Sequence, residues 1–361
     1  MNTDRVNNFD LLRFLAAIFV LFSHSFPLSG LKSDLLNNLT HNMKYSLGTV
    51  GVLIFFIMSG YLITKSWVEN PKCYRFLWNR FLRIIPGLAI IVILTTFIIG
   101  PIVSVYSIYD YFNNRLEICL YLRNILLNIN FFLPGVFVNN PFQYVVNGCL
   151  WTLIIEFKMY LAILVLGFLG LKTRRWLLVV LTTIFLVVYI KDIIEINGDY
   201  TIIFLIGGLY YLYKDKVVFN KYLFFISTVI WMISFMSNYI SLISFLCLPY
   251  MVLYIAFMPF KSVSVISKYG DLSYGIYIYG FLVQQIIMNY NHKLYLHPYL
   301  LFICALPITL LCAFLSWHLI ESRALKLKKI DQQERFINVY GKISFHIKEY
   351  LEKGITEIGL V

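Results

Sequence analysis

The sequence predicts an all-α membrane protein, a polytopic bundle of about ten transmembrane helices with both termini in the cytoplasm. Composition is the first observation: 60% of the 361 residues are hydrophobic and 13% are charged, and the mean hydropathy is +0.76. A soluble chain of this length needs a far more polar surface, so this composition excludes the soluble classes. The other two observations are a series of long apolar runs and an unequal distribution of Lys and Arg between the connecting loops.

Ten apolar runs approach the length of about 20 residues that a membrane-spanning helix needs. The sixth is short, which indicates a tilted or partly buried helix, and the first lacks a cleavage site after it, so we expect a retained span. The predicted spans lie near residues 11–29, 50–68, 84–105, 149–169, 176–191, 200–213, 222–238, 241–259, 271–290 and 298–320.

The basic residues fix the predicted orientation. With the N-terminus inside, the inside segments hold 22 Lys and Arg and the outside loops hold six. An excess on the cytoplasmic side is the positive-inside rule, so both termini are predicted to be cytoplasmic. The formal charge of +12 therefore indicates topology and contact with anionic membrane lipids, and it gives no support to nucleic-acid binding.

Two parts of the chain lie outside the predicted spans. The longest outside loop, 106–148, carries turn signals at Pro134, Gly135 and Pro141, and a loop of this length is usually functional or disordered. We divide the chain into a membrane domain, 1–322, and a basic cytoplasmic tail, 323–361. From Asp331 the tail has apolar residues at helical spacing, which predicts an amphipathic helix on the membrane surface or against the bundle.

Two ionisable residues lie within the first predicted span. Arg13 and His24 are 11 residues apart, which is three helical turns plus about 20°, so they share a face and lie about 16 Å apart. Ionisable side chains inside a membrane usually face a protein interior or a water-filled cavity. The alternative is a snorkelling arginine and a histidine that only links helices.

A carboxylate is predicted at nearly the depth of His24. Glu156, in WTLIIEFKMY, lies seven residues into the fourth span, about 10 Å from its outer end. A histidine and a carboxylate at one depth are suited to a general base and the group that orients it. The alternative is that Glu156 pairs with Lys158, although residues two apart on a helix do not face each other.

Three further motifs contain candidate binding residues. In RFLWNRFLRIIP, which we place in the loop entering span three, Arg80 and Arg83 share a helix face and form a possible phosphate fork; ordinary inside-positive anchoring is the alternative. GVLIFFIMSGYLI places Ser59 and Gly60 in the middle of a span, where they would either contact a ligand or allow close packing of helices. DLSYGIYIYG carries the hydroxyls of the candidate acceptor-binding residues Ser273, Tyr274 and Tyr277.

The six cysteines show no paired metal-ligand spacing, so we expect no metal site. Most lie in apolar runs, where cysteine is usually a small buried hydrophobe. A disulfide between Cys119 and Cys149, both of which could face outside, is left open.

These motifs, in this order, resemble the acyltransferase family 3 membrane proteins over about residues 9 to 325. The first span is similar to the family's R-x10-H helix, RFLR to its R-x-x-R motif, WTLIIE to its W-S/T-L-x-x-E segment and LIESRAL to its closing glutamate motif. The sequence departs from the family pattern at Phe157, at Tyr279-Gly280 and at Ser322-Arg323.

The resemblance implies transfer of an acyl group, usually acetyl from cytoplasmic acetyl-CoA, to a sugar hydroxyl. On this reading Arg13, Arg80, Arg83, Ser59 and Gly60 bind the donor, with the arginines on the CoA phosphates. His24 acts as general base or acyl carrier with Glu156 as its partner. Trp151, Ser273, Tyr274 and Tyr277 contact the acceptor, a surface polysaccharide or its polyprenyl-linked precursor. The expected location is a bacterial cytoplasmic (inner) membrane. Whether the protein forms an oligomer is left open.

Two other functions are kept open. A glycan exporter or polymerase-like protein would also be polytopic with buried Arg and His, but it would not need a CoA site. A subunit that hands acetyl to a separate transferase is the second alternative.

Overall fold

The computed structural model describes residues 8–31, 33–40, 45–191, 198–237, 239–258, 270–290 and 296–329. Over this part of the chain the fold is helical and contains no strand beyond one isolated bridge between Ser104 and Val136. The all-α prediction is therefore confirmed. The amphipathic helix predicted from Asp331 lies outside the described residues.

Each of the ten predicted spans contains a helix, and we number these α1 to α10. Their bounds are α1 Phe9–Leu28, α2 Leu47–Glu69, α3 Cys73–Leu94, α4 Trp151–Phe168, α5 Trp176–Ile190, α6 Gly198–Leu212, α7 Lys221–Ser234, α8 Ile240–Phe257, α9 Ser273–Tyr290 and α10 Pro298–Ser316.

Six of the described helices are long and apolar enough to cross a membrane. They are α1, α2, α4, α8 and the two longer helices Cys73–Val103 and Pro298–Lys326, which contain α3 and α10. Helices α5, α6 and α7 are shorter apolar helices. The protein is a helical membrane protein; the count of ten spans and the cytoplasmic termini stay predictions.

The start of α3 corrects one sequence interpretation. RFLWNRFLR was placed in a loop and span three was expected to begin near 84, but α3 begins at Cys73. Arg80 and Arg83 therefore project from a helix. The first turns of α3 are amphipathic, with exposed Tyr74 and Phe81 stacked on either side of Trp78, so average hydropathy does not detect them.

Helix α10 continues beyond its predicted end. A π-helical turn, Trp317–Glu321, leads into the short helices Ser322–Lys326 and Leu327–Lys329. The helix runs through the proposed domain boundary at residue 322, and this extension packs against α3. Single π turns within α-helices are frequent at functional sites.

Part of the long segment 106–148, which is predicted to lie outside, packs against α9. The segment forms the short helices Ile108–Asn113 and Arg115–Leu122 and then an irregular stretch up to α4. Asn140 donates to the Gln285 side chain (2.7 Å), and Asn147 donates to the Ile278 carbonyl (2.8 Å). Buried polar groups with such partners give a loop a defined conformation.

Glycine allows the central helices to approach closely. Helix α2 packs most extensively against α6, and a Cβ added to Gly60 would overlap the Phe204 carbonyl oxygen of α6. Small residues at such contacts are typical of membrane helices. Gly60, predicted to bind the donor, therefore lies in a helix–helix contact.

We expect Gly60→Ala to lower the thermal unfolding midpoint in detergent, because α2 and α6 must separate to admit the methyl group. Overpacking of this kind costs about 1–3 kcal/mol. Gly170→Ala is the comparison, since the nearest atom to an added Cβ there is 3.5 Å away and only its positive φ of 91° opposes the change. A midpoint for Gly60→Ala equal to that of the parent would contradict the close contact.

Candidate active site

A cavity of about 420 Å³ lies between α1, α2, α3, α4, α9 and the extension of α10. It brings together eight of the eleven predicted site residues. These are Arg13, Ser59, Arg80, Arg83, Glu156, Ser273, Tyr274 and Tyr277. His24, Gly60 and Trp151 are outside its lining; the Trp151 ring packs edge-on against Tyr200, with 5.4 Å between centroids.

One end of the cavity is cationic, and two of its arginines share one carboxylate. Arg83 Nη2 lies 2.6 Å from Asp271 Oδ2, and Arg13 Nη1 lies 3.7 Å from the same oxygen. Asp271 also accepts a hydrogen bond from the Ser273 hydroxyl at the start of α9. Arg83 is thus held in a pair with Asp271, and Arg80 and Arg83 do not form the predicted fork of two equivalent guanidiniums.

Arg80 has no carboxylate partner among the described residues. Its guanidinium lies 5.8 Å from the ring centroids of both Phe76 and Tyr160, and Nη2 donates to the Ser66 hydroxyl at 3.3 Å. Its Nε is buried without an acceptor in the described structure. A half-buried guanidinium that lies against aromatic rings and forms no ion pair within contact distance is suited to an anionic ligand.

Glu156 lies in the cavity wall between two donors. Its Oε1 accepts hydrogen bonds from Ser59 Oγ at 2.9 Å and from the Tyr160 hydroxyl at 2.5 Å. Lys158 is exposed and no ion pair joins it to Glu156 among the described residues, so the alternative pairing is not formed. The Ser59 hydroxyl connects α2 to the carboxylate of α4.

His24 lies beyond the cavity, next to a cysteine and an aromatic ring. Its Nδ1 is 3.7 Å from Cys149 Sγ, and its ring lies 5.2 Å from the ring of Phe281 in an edge arrangement. Cys149 is a free thiol, as is the exposed Cys119, so the disulfide left open above is not formed.

The structure gives His24 and Glu156 separate sets of neighbours, and their common depth stays a prediction. The neighbour of His24, Cys149, lies in the turn before α4 and precedes Glu156 by seven residues, a spacing of about 10 Å if the turn continues the helical rise. Crossing helices do not keep a common level, so residue counts from two different ends do not give relative depth. No hydrogen bond joins the His24 ring to the Glu156 carboxylate in the described structure.

Two hydroxyl groups of the cavity meet close to the neighbours of His24. Thr152 Oγ1 and the Tyr277 hydroxyl, both in the cavity lining, are 2.6 Å apart. Thr152 follows Cys149 by three residues on α4, and Tyr277 precedes Phe281 by four on α9, so each lies one turn from a neighbour of His24. This contact is therefore the part of the cavity lining that lies nearest in sequence to the neighbours of His24.

Several residues at the site were not predicted. They are Tyr160, Thr152, Asp271, Trp317 and Lys328. Tyr160 could have been found, because it stands one turn after Glu156 on the same helix face. Lys328 stands two turns after Glu321, but only the continuous extension of α10 reveals that spacing. Among the described residues, no group of His, Cys, Asp or Glu side chains converges as a metal site requires.

The fold and the cavity together define an integral membrane protein with a cation-rich site. Residues 6–318 match the family of acyltransferase domains called acyltransferase family 3, and the chain belongs to this family. The resemblance of the motifs is thereby confirmed, and the protein is a membrane acyltransferase.

Two relatives align over nearly their whole length. The chain is 29% identical to an O-acetyl transferase of Shigella phage Sf6 over 337 residues, 88% of this chain and 96% of the relative. It is 26% identical to Nodulation protein 10 of Rhizobium leguminosarum bv. viciae over 359 residues, 89% of this chain and 94% of the relative. No solved structure matches the chain.

Proposed function

We propose that the protein transfers an acetyl group from cytoplasmic acetyl-CoA to a hydroxyl of a cell-surface polysaccharide or its lipid-linked precursor, in a bacterial cytoplasmic membrane. The observation that carries the proposal is the cavity with a cationic end, in which Arg80 forms no salt bridge among the described residues, although the more distant Glu156 carboxylate acts on its charge. Family membership supports the acyl transfer. The name of the phage relative supports acetyl as the group and oxygen as the acceptor atom.

The cationic end is the proposed site of the CoA phosphates. Charge-assisted contacts from guanidinium groups to phosphate are among the strongest hydrogen bonds in proteins. Arg80 is the proposed principal ligand, with Arg13 and Arg83 contributing charge while Asp271 holds them. The positive-inside prediction places this end at the cytoplasm, where acetyl-CoA is available.

His24 is the proposed general base. The pantetheine arm, long and thin, runs from the cationic end along the cavity, and the Thr152–Tyr277 contact must part for the thioester to approach His24. The neutral imidazole removes the proton of the acceptor hydroxyl as that oxygen attacks the thioester carbonyl, and the CoA thiolate leaves. In the second route His24 attacks the thioester itself and carries the acetyl group to the acceptor.

Glu156 is proposed to act as a fixed negative charge, held by Ser59 and Tyr160. The Glu156 charge stabilises the imidazolium that forms when His24 takes a proton. Because Glu156 lies about 10 Å along the α4 axis from the neighbour of His24, this is a long-range electrostatic effect and not a hydrogen bond. Trp151, Ser273, Tyr274 and Tyr277 remain the candidate acceptor contacts. Ser273 and Tyr274 also donate to Asp271 and to the Ile84 carbonyl, which fixes the start of α9 against α3.

Binding of the donor to an Arg80 variant tests the proposal. We expect Arg80→Ala to weaken binding of desulfo-CoA, an unreactive CoA analogue, by about ten- to a hundredfold, because a charge-assisted contact contributes about 1.5–3 kcal/mol. Arg80→Lys should restore only part of the affinity, since an ammonium cannot make the bidentate contact. Isothermal titration of the purified protein in a maltoside detergent gives both values.

The matched control is Arg75→Ala, which removes the same charge from an exposed position of α3 outside the cavity. Its affinity should equal that of the parent. If Arg80→Ala binds desulfo-CoA as tightly as the parent does, the cationic end does not bind the donor. If the parent does not bind desulfo-CoA, CoA is excluded as the donor.

A further inference from the structure

The extension of α10 carries a lysine into the cavity. Lys328 lies in the last described turn, Leu327–Lys329, and lines the cavity together with Leu325 three residues earlier. The turn packs against α3, the helix that carries Arg80 and Arg83. By sequence this lysine belongs to the basic tail, so nothing in the motifs assigns it to the site.

Lys328 is partly buried among like charges. Burial, followed by the guanidiniums of Arg80, Arg83 and Arg13, lowers the pKa of Lys328 to about 8. Four cations therefore line one end of a single cavity. Bringing like charges together in a partly buried place is unfavourable unless an anion shares them.

The carboxylates of the cavity do not neutralise Lys328. Asp271 is held by Arg83 and Arg13, and Glu156 is held by Ser59 and Tyr160. Lys328 makes no ion pair or hydrogen bond among the described residues. Its ammonium is available to a ligand that enters the cationic end.

We propose that Lys328 and Arg80 together bind a phosphate group of the acyl donor, so that the extension of α10 forms part of the donor site. This inference rests on the proposed function and adds a residue that follows the family match, which ends at 318. The ligand class is a phosphate ester with at least two negative charges. Arg80 supplies a planar guanidinium to it, and Lys328 supplies a flexible ammonium from the turn that packs against α3.

Desulfo-CoA binding to three variants of the whole protein, in a maltoside detergent that contains no phosphate, tests the proposal. We expect Lys328→Met to weaken binding by about tenfold or more, and Lys328→Arg to retain most of the affinity. Lys326→Met is the matched control, because Lys326 is exposed on the same extension and lies outside the cavity. It should bind as the parent does.

The pH dependence of the same affinity gives a readout that a purely structural lysine would not produce. A phosphate monoester has its second pKa near about 6, so the ligand keeps its charge above pH 7. Below pH 8 the Lys328 amine is already protonated. Above pH 8 it is mostly neutral, so binding of the phosphate must be coupled to uptake of a proton by this amine. The affinity of the parent should therefore fall by up to about tenfold per pH unit above 8, until it reaches the affinity of Lys328→Met.

The other groups at the site do not produce this dependence. The charged groups of the cavity are Arg13, Arg80, Arg83, Glu156 and Asp271, and Glu321 lies buried on the same extension, where it accepts from Ser316. All are arginines or carboxylates that keep their charge between pH 8 and 10. The tyrosines Tyr160 and Tyr274 donate their protons in hydrogen bonds to Glu156 and to the Ile84 carbonyl. In Lys328→Arg the affinity should stay constant to pH 10, and in Lys328→Met it should be low and constant.

The outcomes separate this inference from the proposed function. If the parent binds desulfo-CoA and Lys328→Met binds it equally well with the same pH dependence, Lys328 is not a donor ligand, whereas the proposed function stands. If the parent does not bind desulfo-CoA at all, the proposed function is contradicted, and the inference about Lys328 is contradicted with it. If Lys328→Met changes only the binding of added phosphatidylglycerol, the phosphate that Lys328 binds is a lipid headgroup, and the proposal is overturned.

Discussion

Replacement of His24 by alanine should abolish acetylation of the surface glycan while the protein still inserts and accumulates. A positioned general base contributes about 10²- to 10⁴-fold to a proton-transfer step, and the acyl-histidine route is lost completely. The imidazole contacts the Cys149 thiol and the Phe281 ring. The measurement is mass spectrometry of the glycan from cells lacking the gene, complemented with either the parent or His24→Ala.

His318→Ala is the control for this experiment. His318 is a second histidine within a predicted span, but it is exposed, packs over Phe314 and lies outside the cavity lining. Glycan acetylation should stay at the parental level in this variant. Near-normal acetylation in His24→Ala would remove His24 from both proposed routes, and loss of membrane-inserted protein in that variant would show that its role is structural.

The helices could be predicted from the sequence because membrane insertion selects long apolar runs. The start of α3 shows where this signal ends. Its first turns place Tyr74, Trp78 and Phe81 on one side and the arginines on the other, so average hydropathy falls although the helix continues. Average hydropathy misses the extension after α10 for the same reason, because a Lys-rich helix that follows a span looks like an unstructured basic tail in the sequence.

The site could be predicted only in part, because motifs identify residues but not their partners. Arg80 and Arg83 look equivalent in the sequence, and only the approach of Asp271 from the start of α9 distinguishes them. Gly60 looks like part of a ligand motif, yet α6 packs directly on it. The relative depth of His24 and Glu156 depends on how helices cross, and no residue count contains that information.

Arg83 should prove to be a structural residue, in contrast to Arg80. Its guanidinium lies 2.6 Å from Asp271 Oδ2 with side-chain exposures of 21% and 15%, whereas Arg13 approaches the same oxygen only to 3.7 Å. Removal of one partner from a buried ion pair costs up to about 3–5 kcal/mol when the other charge is left without compensation, and the cost is smaller here because Arg13 stays 3.7 Å from Asp271. We therefore expect Arg83→Met to lower the thermal unfolding midpoint by several degrees, and Arg80→Ala to lower it much less.

A double variant shows whether the loss comes from the pair itself. Asp271→Asn removes the charge but keeps a side chain that can cap the start of α9, so Arg83→Met with Asp271→Asn should be more stable than Arg83→Met alone. The comparison is Lys65→Met, since Lys65 and Glu69 form an exposed pair at 3.9 Å, and exposed pairs contribute about 0–1 kcal/mol. Each midpoint is measured in the same detergent at the same scan rate. If Arg83→Met instead weakens desulfo-CoA binding and leaves the midpoint unchanged, Arg83 is a phosphate ligand equivalent to Arg80, and the fork that the sequence predicts is formed when the donor binds.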